Sequence, residues 1–140
     1  MVEGSERINI DEEIEYSRNL LGSVTSQLER IQLAMAEVVQ TIAVLTELPK
    51  ASSSEGKISI GSGLFVKAQV KDPDTVIFPL GSNVFTEEKR ESAIEKLNGN
   101  LKDLTASYDS LMLRKKELEG KLNALGTLYN QLIDQESKKL

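Results

Sequence analysis

The stretch that decides the fold is residues 94–132, which read IEKLNGNLKDLTASYDSLMLRKKELEGKLNALGTLYNQL. A leucine stands at every seventh position from Leu97 to Leu132, and a second row, offset by three residues, is apolar or aromatic except at Lys115. Such a repeat places its side chains on one narrow stripe of a helix, and another helix is needed to bury that stripe. The stretch therefore predicts one helix of a coiled coil, and Lys115 is interpreted as a device that fixes the pairing of the helices.

The N-terminal part of the chain carries a matching repeat. Between Ile10 and Leu45 both heptad rows are apolar except at Ser17. The two stripes are equal in length, which favours antiparallel pairing within one chain, with Ile10 near Leu132 and Leu45 near Leu97. The predicted seam residues are Ile14, Leu21, Leu28, Met35, Ile42, Leu97, Leu104, Leu111, Leu118 and Leu125.

Capping and breaking residues predict where the helices end. We expect the first helix over residues 9–48, capped by Asn9 or Asp11 and stopped by Pro49, with a linker over residues 50–56. We expect the second helix over residues 86–137, capped by Thr86.

Two features modify the second helix. The pair Asn98-Gly99 is typical of a turn, but Leu97, Leu101 and Leu104 keep heptad phase across it, so the helix is predicted to continue. After Leu132 the seam positions become charged, so that end is expected to fray.

Residues 57–85 change to a period of two. Apolar and polar residues alternate in four short runs, separated by Gly61-Ser62-Gly63, by residues 71–74 and by Gly81-Ser82. This pattern predicts two β-hairpins, with an edge or a bulge at Pro79 because proline cannot donate to a ladder. The whole chain is thus expected to be one α+β domain over residues 1–140, with two hairpins inserted between the helices.

The β segment is too short to close a barrel or to bury both faces by itself. Its second apolar face could pack on the base of the coiled coil, or it could meet strands of other chains, and we favour oligomerisation. The predicted assembly residues are Ile58, Ile60, Leu64, Phe65, Val66, Val70, Val76, Ile77, Phe78 and Val84.

Composition argues against several functions. The chain has no Cys and no His, and Gly61-Ser62-Gly63 lacks the lysine and the helix start of a phosphate loop. We therefore expect no enzyme, no metal and no cofactor. A net charge of −5 without a basic stripe argues against nucleic acid, while the polar N-terminus and the lack of a long apolar run argue for a cytoplasmic protein without a membrane span.

Apolar residues beside the seam indicate a binding surface at the end that carries both termini. Coiled coils often have charges at these flanking positions, but here several are apolar, in a surrounding that is acidic. They could complete local packing or bind apolar segments of other proteins. The candidate client-binding residues are Ile8, Tyr16, Leu20, Leu128, Tyr129, Leu132 and Ile133.

The arrangement of helix, two hairpins and helix resembles the α-class subunit of prefoldin, an archaeal and eukaryotic co-chaperone. Residues 60–72, IGSGLFVKAQVKD, are similar to the first hairpin of that family, and residues 76–84, VIFPLGSNV, are similar to its second. The resemblance covers residues 11–132.

The resemblance implies an ATP-independent holdase. Two α-class subunits would join four β-class subunits through their hairpins, bind unfolded client proteins at the coiled-coil tips and deliver them to a group II chaperonin. The alternative is a structural protein, a self-assembling coiled-coil scaffold or filament subunit. A subunit recruited to a transcription or assembly complex is a third interpretation.

Overall fold

The protein, described here from a computed structural model, consists of two long helices with four strands between them. The structure describes the backbone of residues 2–51 and 55–138 and the side chains of residues 5–50 and 55–138. The elements in chain order are α1 (Val2–Ala51), β1 (Gly56–Gly61), β2 (Leu64–Ala68), β3 (Thr75–Gly81), β4 (Val84–Lys89) and α2 (Arg90–Lys138). The predicted fold class is confirmed. The chain divides into a terminal unit, residues 1–33 and 105–140, and a hairpin unit, residues 34–104.

In the terminal unit the helices pack through their heptad stripes. Val24, Leu28 and Leu118 form its buried cluster. Leu20, Leu21, Tyr108, Leu111 and Met112 pack against this cluster. Burial of these side chains is the main source of stability here, since an isolated helix gains little from its own propensity.

Polar contacts show that the two helices of the terminal unit run antiparallel. Arg7 Nη1 donates to Glu136 Oε2 at 2.7 Å, and Gln32 Nε2 donates to the Tyr108 hydroxyl at 3.2 Å. The pairing order is reversed along α2, as antiparallel packing requires. Because Glu136 accepts from Arg7, the contact between the helices extends beyond Leu132, and α2 continues to Lys138.

The two polar seam residues behave differently. Ser17 is fully buried, and its Oγ has no hydrogen-bond partner among the described residues. Lys115 is half-buried and directs its Nζ to Glu119, one turn away at 4.0 Å.

In the hairpin unit, Pro49 and Arg90 form a junction between the two helices. Proline has no backbone N–H, so the carbonyl of Leu45, four residues earlier, loses its usual donor within α1. Arg90 Nη1 donates to that oxygen at 3.2 Å, while the backbone N–H of Arg90 donates to Asp74 O at 2.7 Å. The first residue of α2 thus satisfies a carbonyl of α1 and closes the base of the second hairpin.

The described residues form two separate antiparallel sheets: β1 pairs with β2 (hairpin 1), and β3 pairs with β4 (hairpin 2). In each hairpin a glycine precedes two turn residues with positive φ, Ser62-Gly63 and Ser82-Asn83. Positive φ at both central residues matches the turn type that joins tightly twisted strands. The strand register shifts just before the turn in both hairpins, between Ser59 and Gly61 and between Pro79 and Gly81. The irregularity therefore accompanies the shared turn and is not specific to the proline.

Several predicted boundaries are wrong. Helix α1 begins at Val2, so Asn9 and Asp11 lie inside it and cap nothing. The reason is that Arg7 takes a seam position and extends the helix pair by its contact with Glu136. Pro49 lies inside the last turn of α1 instead of stopping it. The central linker residues 52–54 lie outside the described residues.

The second helix also begins later than predicted. Thr86 lies in β4, where it opposes Phe78, and α2 starts at Arg90. Residues 86–89 are needed as strand partners of β3, and this pairing overrides the capping preference of Thr86. The helix continues through Gly99, as the phase of the leucines predicted.

Candidate functional site

An open apolar cleft lies in the terminal unit, and we call it the terminal cleft. Its volume is about 410 Å³, which falls in the range of ligand-binding clefts. Its lining consists of Glu6, Asn9, Ile10 and Glu13 from α1 and Leu125, Leu128 and Leu132 from α2. Ile10 and Leu132 line the same cleft, so the predicted proximity of these two residues is confirmed.

Helical spacing explains this lining. Residues three, four and seven apart share one helix face, which brings Glu6, Ile10 and Glu13 together on α1. The same spacing brings Leu125, Leu128 and Leu132 together on α2. The cleft therefore has four apolar side chains and two carboxylates, all supplied by regular helix.

A second, polar cleft adjoins the first, and we call it the acidic cleft. Asn9, Glu12, Glu13 and Tyr16 line its volume of about 360 Å³. Asn9 and Glu13 belong to both clefts. Apolar, anionic and aromatic side chains thus meet on neighbouring turns of α1.

The predicted client-binding residues lie at different depths. Ile8, Tyr16, Leu128 and Ile133 are exposed, Tyr16 to 62%. Leu132 and Tyr129 are half-buried. Leu20 is also half-buried, because it packs against the buried cluster of Val24, Leu28 and Leu118.

The sequence did not indicate Glu6, Asn9 and Glu13 as part of a site, and it assigned Ile10 and Leu125 to the seam alone. The spacing of Glu6 and Glu13 around Ile10 is a signal that could have found them.

The hairpins present a second apolar surface. Of the ten predicted assembly residues, eight are exposed: Ile58, Ile60, Leu64, Phe65, Val66, Val70, Ile77 and Val84. Leu80 and Phe85 are exposed as well and were absent from the prediction. Val76 and Phe78 are half-buried. Among the residues that the structure describes, every strand pairs with one neighbour, which leaves each with an open edge.

Half-burial of Val76 and Phe78 has a structural reason, because β3 faces the helices of its unit. Together they enclose an apolar cleft of about 450 Å³. Its lining is Thr41, Leu45, Val76, Ile77, Phe78, Pro79, Ala93, Leu97 and Asn100. The proximity predicted for Leu45 and Leu97 is confirmed by this lining.

Charged contacts hold hairpin 2 to α2. Lys96 Nζ forms an ion pair with Glu88 and lies 5.3 Å from the centre of the Phe78 ring. Ser92 Oγ donates to Glu88 Oε2 at 3.1 Å. The hydrogen bond from Lys96, followed by that from Ser92, holds the pKa of Glu88 below its ordinary value.

The loop between the hairpins has a similar carboxylate. Asp72 Oδ1 accepts from the backbone N–H of Asp74 at 3.0 Å. A hydrogen bond from the Thr75 side chain, and then the one from Asp74, lowers the pKa of Asp72. Within the described residues, no three acidic side chains are grouped so as to hold a metal ion.

Comparison with known proteins identifies the family. The family model for prefoldin subunits matches residues 18–135. A prefoldin subunit alpha from Thermoplasma acidophilum is 37% identical over 117 residues, which cover 84% of this chain and 90% of the relative. The chain belongs to the prefoldin family. Another prefoldin subunit alpha, from Picrophilus torridus, is 38% identical over 69% of this chain and 68% of its own.

A solved prefoldin structure supports the fold. The chain is similar to filamentous PFD from Methanocaldococcus jannaschii, determined by cryo-EM, with a TM-score of 0.71 and 21% identity. The match covers 84% of this chain and 98% of that one. Membership in the prefoldin family gives the chain a chaperone role and assigns it to the α class, as the sequence predicted.

The apolar character of α1 bears on the expectation that no helix spans a membrane. By length and composition alone, α1 over Ser5–Lys50 could cross a membrane, with a mean hydropathy of 1.4 in its most apolar window. The expectation rested on unbroken apolar runs, whereas residues 31–48 contain only Glu37 and Glu47 as charged residues. This is a weak indication of a membrane span, because the heptad residues of α1 are partly covered by packing in a prefoldin fold.

Proposed function

We propose that the chain is the α-class subunit of an ATP-independent holdase, which binds unfolded proteins at the terminal cleft and delivers them to a group II chaperonin in the cytoplasm. The observation that carries this proposal is the set of apolar side chains that line an open cleft at Ile10, Leu125, Leu128 and Leu132. Such a surface suits apolar segments that a folded protein would bury.

The physics of one cleft explains why client release needs no nucleotide. Burying a whole leucine side chain is worth roughly 1.5–3 kcal/mol, and side chains such as Leu128 are already partly covered. A single contact is therefore weak and opens readily. Several subunits that act on one unfolded chain raise the effective concentration, so the assembly binds far more tightly than one cleft.

The hairpins would supply that assembly. Exposed apolar residues such as Ile58, Phe65 and Phe85, together with open strand edges, favour pairing with strands of other subunits. We propose β-class prefoldin subunits as the partners, in a complex of two α and four β chains.

A self-assembling filament is the second candidate. It is favoured by the similarity to a prefoldin that forms filaments and by hairpins that could pair with identical copies. The mass of the purified chain, alone and with a β-class partner, separates the two. A closed complex that appears on adding the partner supports the holdase, and open-ended polymers of the chain alone support the filament.

The test of the holdase removes Leu128 from the terminal cleft, together with the exposed Ile8 and Ile133, which stand next to the lining residues Asn9 and Leu132 in the sequence. Replacing Ile8, Leu128 and Ile133 by serine in the assembled complex should reduce suppression of the aggregation of an unfolded protein several-fold, while the mass of the complex stays unchanged. Leu20 is left in place because it supports the buried cluster.

The matched control replaces Leu33 and Leu113 by serine. Both are exposed leucines of the same unit, and neither lines the terminal cleft or stands next to a lining residue. Equal loss in both variants would mean that general surface hydrophobicity holds clients, and full activity in the first variant would refute the cleft as the client site.

A further inference from the structure

We propose that the terminal unit selects unfolded segments in which apolar side chains stand beside lysine or arginine. The apolar side chains bind in the terminal cleft, and the cationic side chain binds in the acidic cleft. This inference names the class of client, and it rests on the proposed function.

The terminal cleft and the acidic cleft share one wall. Asn9 and Glu13 line both, so a single bound segment reaches from one into the other. Ile10 and Tyr16 lie roughly 9 Å apart along the axis of α1, at about 1.5 Å per residue. An extended segment covers that distance in about three residues. Six residues also rotate the helix by about 600°, which leaves these two side chains about 120° apart around α1, so the basic residue belongs at least about three positions from the apolar ones.

Charge complementarity identifies the second group. Of the described residues that line the two clefts, Glu6, Glu12 and Glu13 are acidic and none is basic. Arg7, on the same helix, is already engaged by Glu136 at 2.7 Å. The surface beside the apolar residues of the terminal cleft is therefore anionic, and it would repel an anionic segment.

Tyr16 adds a feature that suits a cation in particular. Its ring is exposed and lines the acidic cleft beside Glu12 and Glu13. An ammonium or guanidinium group over a tyrosine ring is attracted by the ring's electrons. The methylene groups of a lysine or arginine can also lie on the apolar surface while the charge stays in water.

Exposure limits the strength of the charged contacts. Glu12 and Glu13 are solvent-exposed, so salt screens them over about 8 Å at physiological ionic strength. The carboxylates therefore act on selection and on association rate more than on total affinity. A chaperone with this arrangement keeps broad apolar binding and prefers one class of segment.

The experiment uses three fluorescein-labelled peptides with the same leucine and phenylalanine residues, flanked by lysine, glutamine or glutamate. Anisotropy titrations measure Kd for the full chain, for Glu12→Gln/Glu13→Gln and for Leu128→Ser. The lysine peptide should bind the unaltered chain most tightly. Glu12→Gln/Glu13→Gln should raise the Kd of the lysine peptide about three- to tenfold and leave the Kd of the glutamine peptide unchanged. Added salt should reduce the same difference.

The matched control is Glu15→Gln/Glu29→Gln, which removes two exposed carboxylates of α1 that line neither cleft. An equal effect in the control, or equal Kd values for the lysine and glutamate peptides, would overturn the charge preference. In that case, weaker binding of all three peptides by the Leu128→Ser variant would still support the apolar cleft as the binding site. If Leu128→Ser changes the Kd of none of the three peptides, the proposed function itself fails.

A folded basic protein is the competing occupant. Native lysozyme should bind the chain much more weakly than the lysine peptide, because its apolar side chains are buried. Binding of lysozyme that depends on Glu12 and Glu13 but not on Leu128 would replace the proposed class of client with basic folded surfaces.

Discussion

The two hairpins share one turn design but differ in how the chain holds them. Each has a glycine followed by two residues of positive φ. Hairpin 2 is closed at its base by Arg90 and Asp74 and is covered by Lys96 over Phe78. The strands of hairpin 1 are exposed along almost their whole length, with Ala68 the exception.

This difference indicates that the two hairpins are stabilised by different contacts. A two-stranded hairpin alone is marginally stable in water, so each needs support from elsewhere. The helices of its own unit support hairpin 2, and we infer that strands of other subunits support hairpin 1. Substitutions in hairpin 1 should then affect mainly the association with other subunits, and substitutions in hairpin 2 should affect mainly the stability of the chain itself.

The largest expected effect comes from hairpin 1. Ile58 and Val66 oppose each other on one face, and both are exposed. Replacing both by serine should reduce association with the proposed β-class partners at least about tenfold, because we expect this apolar surface to be buried in the assembly. The stability of the chain alone should change little. Native mass spectrometry and denaturant unfolding measure the two quantities.

The adjacent opposed pair provides the control. Lys57 and Lys67 lie directly across from each other, one position along the strands and on the opposite face. Serine at both positions should leave assembly intact. If the two double variants assemble equally well, hairpin 1 is not an apolar contact surface, and the comparison of the hairpins loses its basis.

An intermediate effect is expected where hairpin 2 joins the helices. Arg90→Met keeps much of the stem but removes the donor to Leu45 O, which should lower the free energy of unfolding by about 1 kcal/mol. With Pro49→Ala the alanine N–H can donate to the same carbonyl, so Arg90→Met should then cost much less. Denaturant unfolding of the four proteins of this double-mutant cycle measures the coupling.

Lys89→Met is the control for this cycle, since Lys89 is exposed and adjacent to Arg90. The same cost of Arg90→Met with and without Pro49 would show that the guanidinium does not compensate for the proline. The carbonyl of Leu45 would then need another explanation.

Sequence reasoning succeeded where one periodic pattern controls the outcome. The leucines from Leu97 to Leu132 predicted a helix that continues through Gly99, and the structure has it. Reasoning failed where a tertiary contact overrides a local preference. Thr86 prefers a cap position but pairs with Phe78, and Pro49 lies in a helix whose freed carbonyl is satisfied from forty-five residues away.

The candidate site was found only in part for a related reason. Exposed apolar residues such as Leu128 are visible as departures from the heptad pattern. The carboxylate of Glu6 belongs to the cleft only because α1 begins early enough to extend the pairing at Arg7. A helix predicted to start at residue 9 gives no place to Glu6.

The smallest expected effect is a pH dependence of stability that arises at hairpin 2. The pKa of Glu88 is lowered in the folded chain by the hydrogen bond from Lys96, so its stabilising contribution is complete above the ordinary pKa of 4.5 and is lost as pH falls through the lower folded value. The Tm difference between the unaltered chain and Glu88→Gln should therefore shrink as the pH falls below about 4.5. Glu87→Gln, on the opposite face of β4, is the control. A difference that stays constant with pH would show that Lys96 holds hairpin 2 through its contact with the Phe78 ring and not through the Glu88 carboxylate.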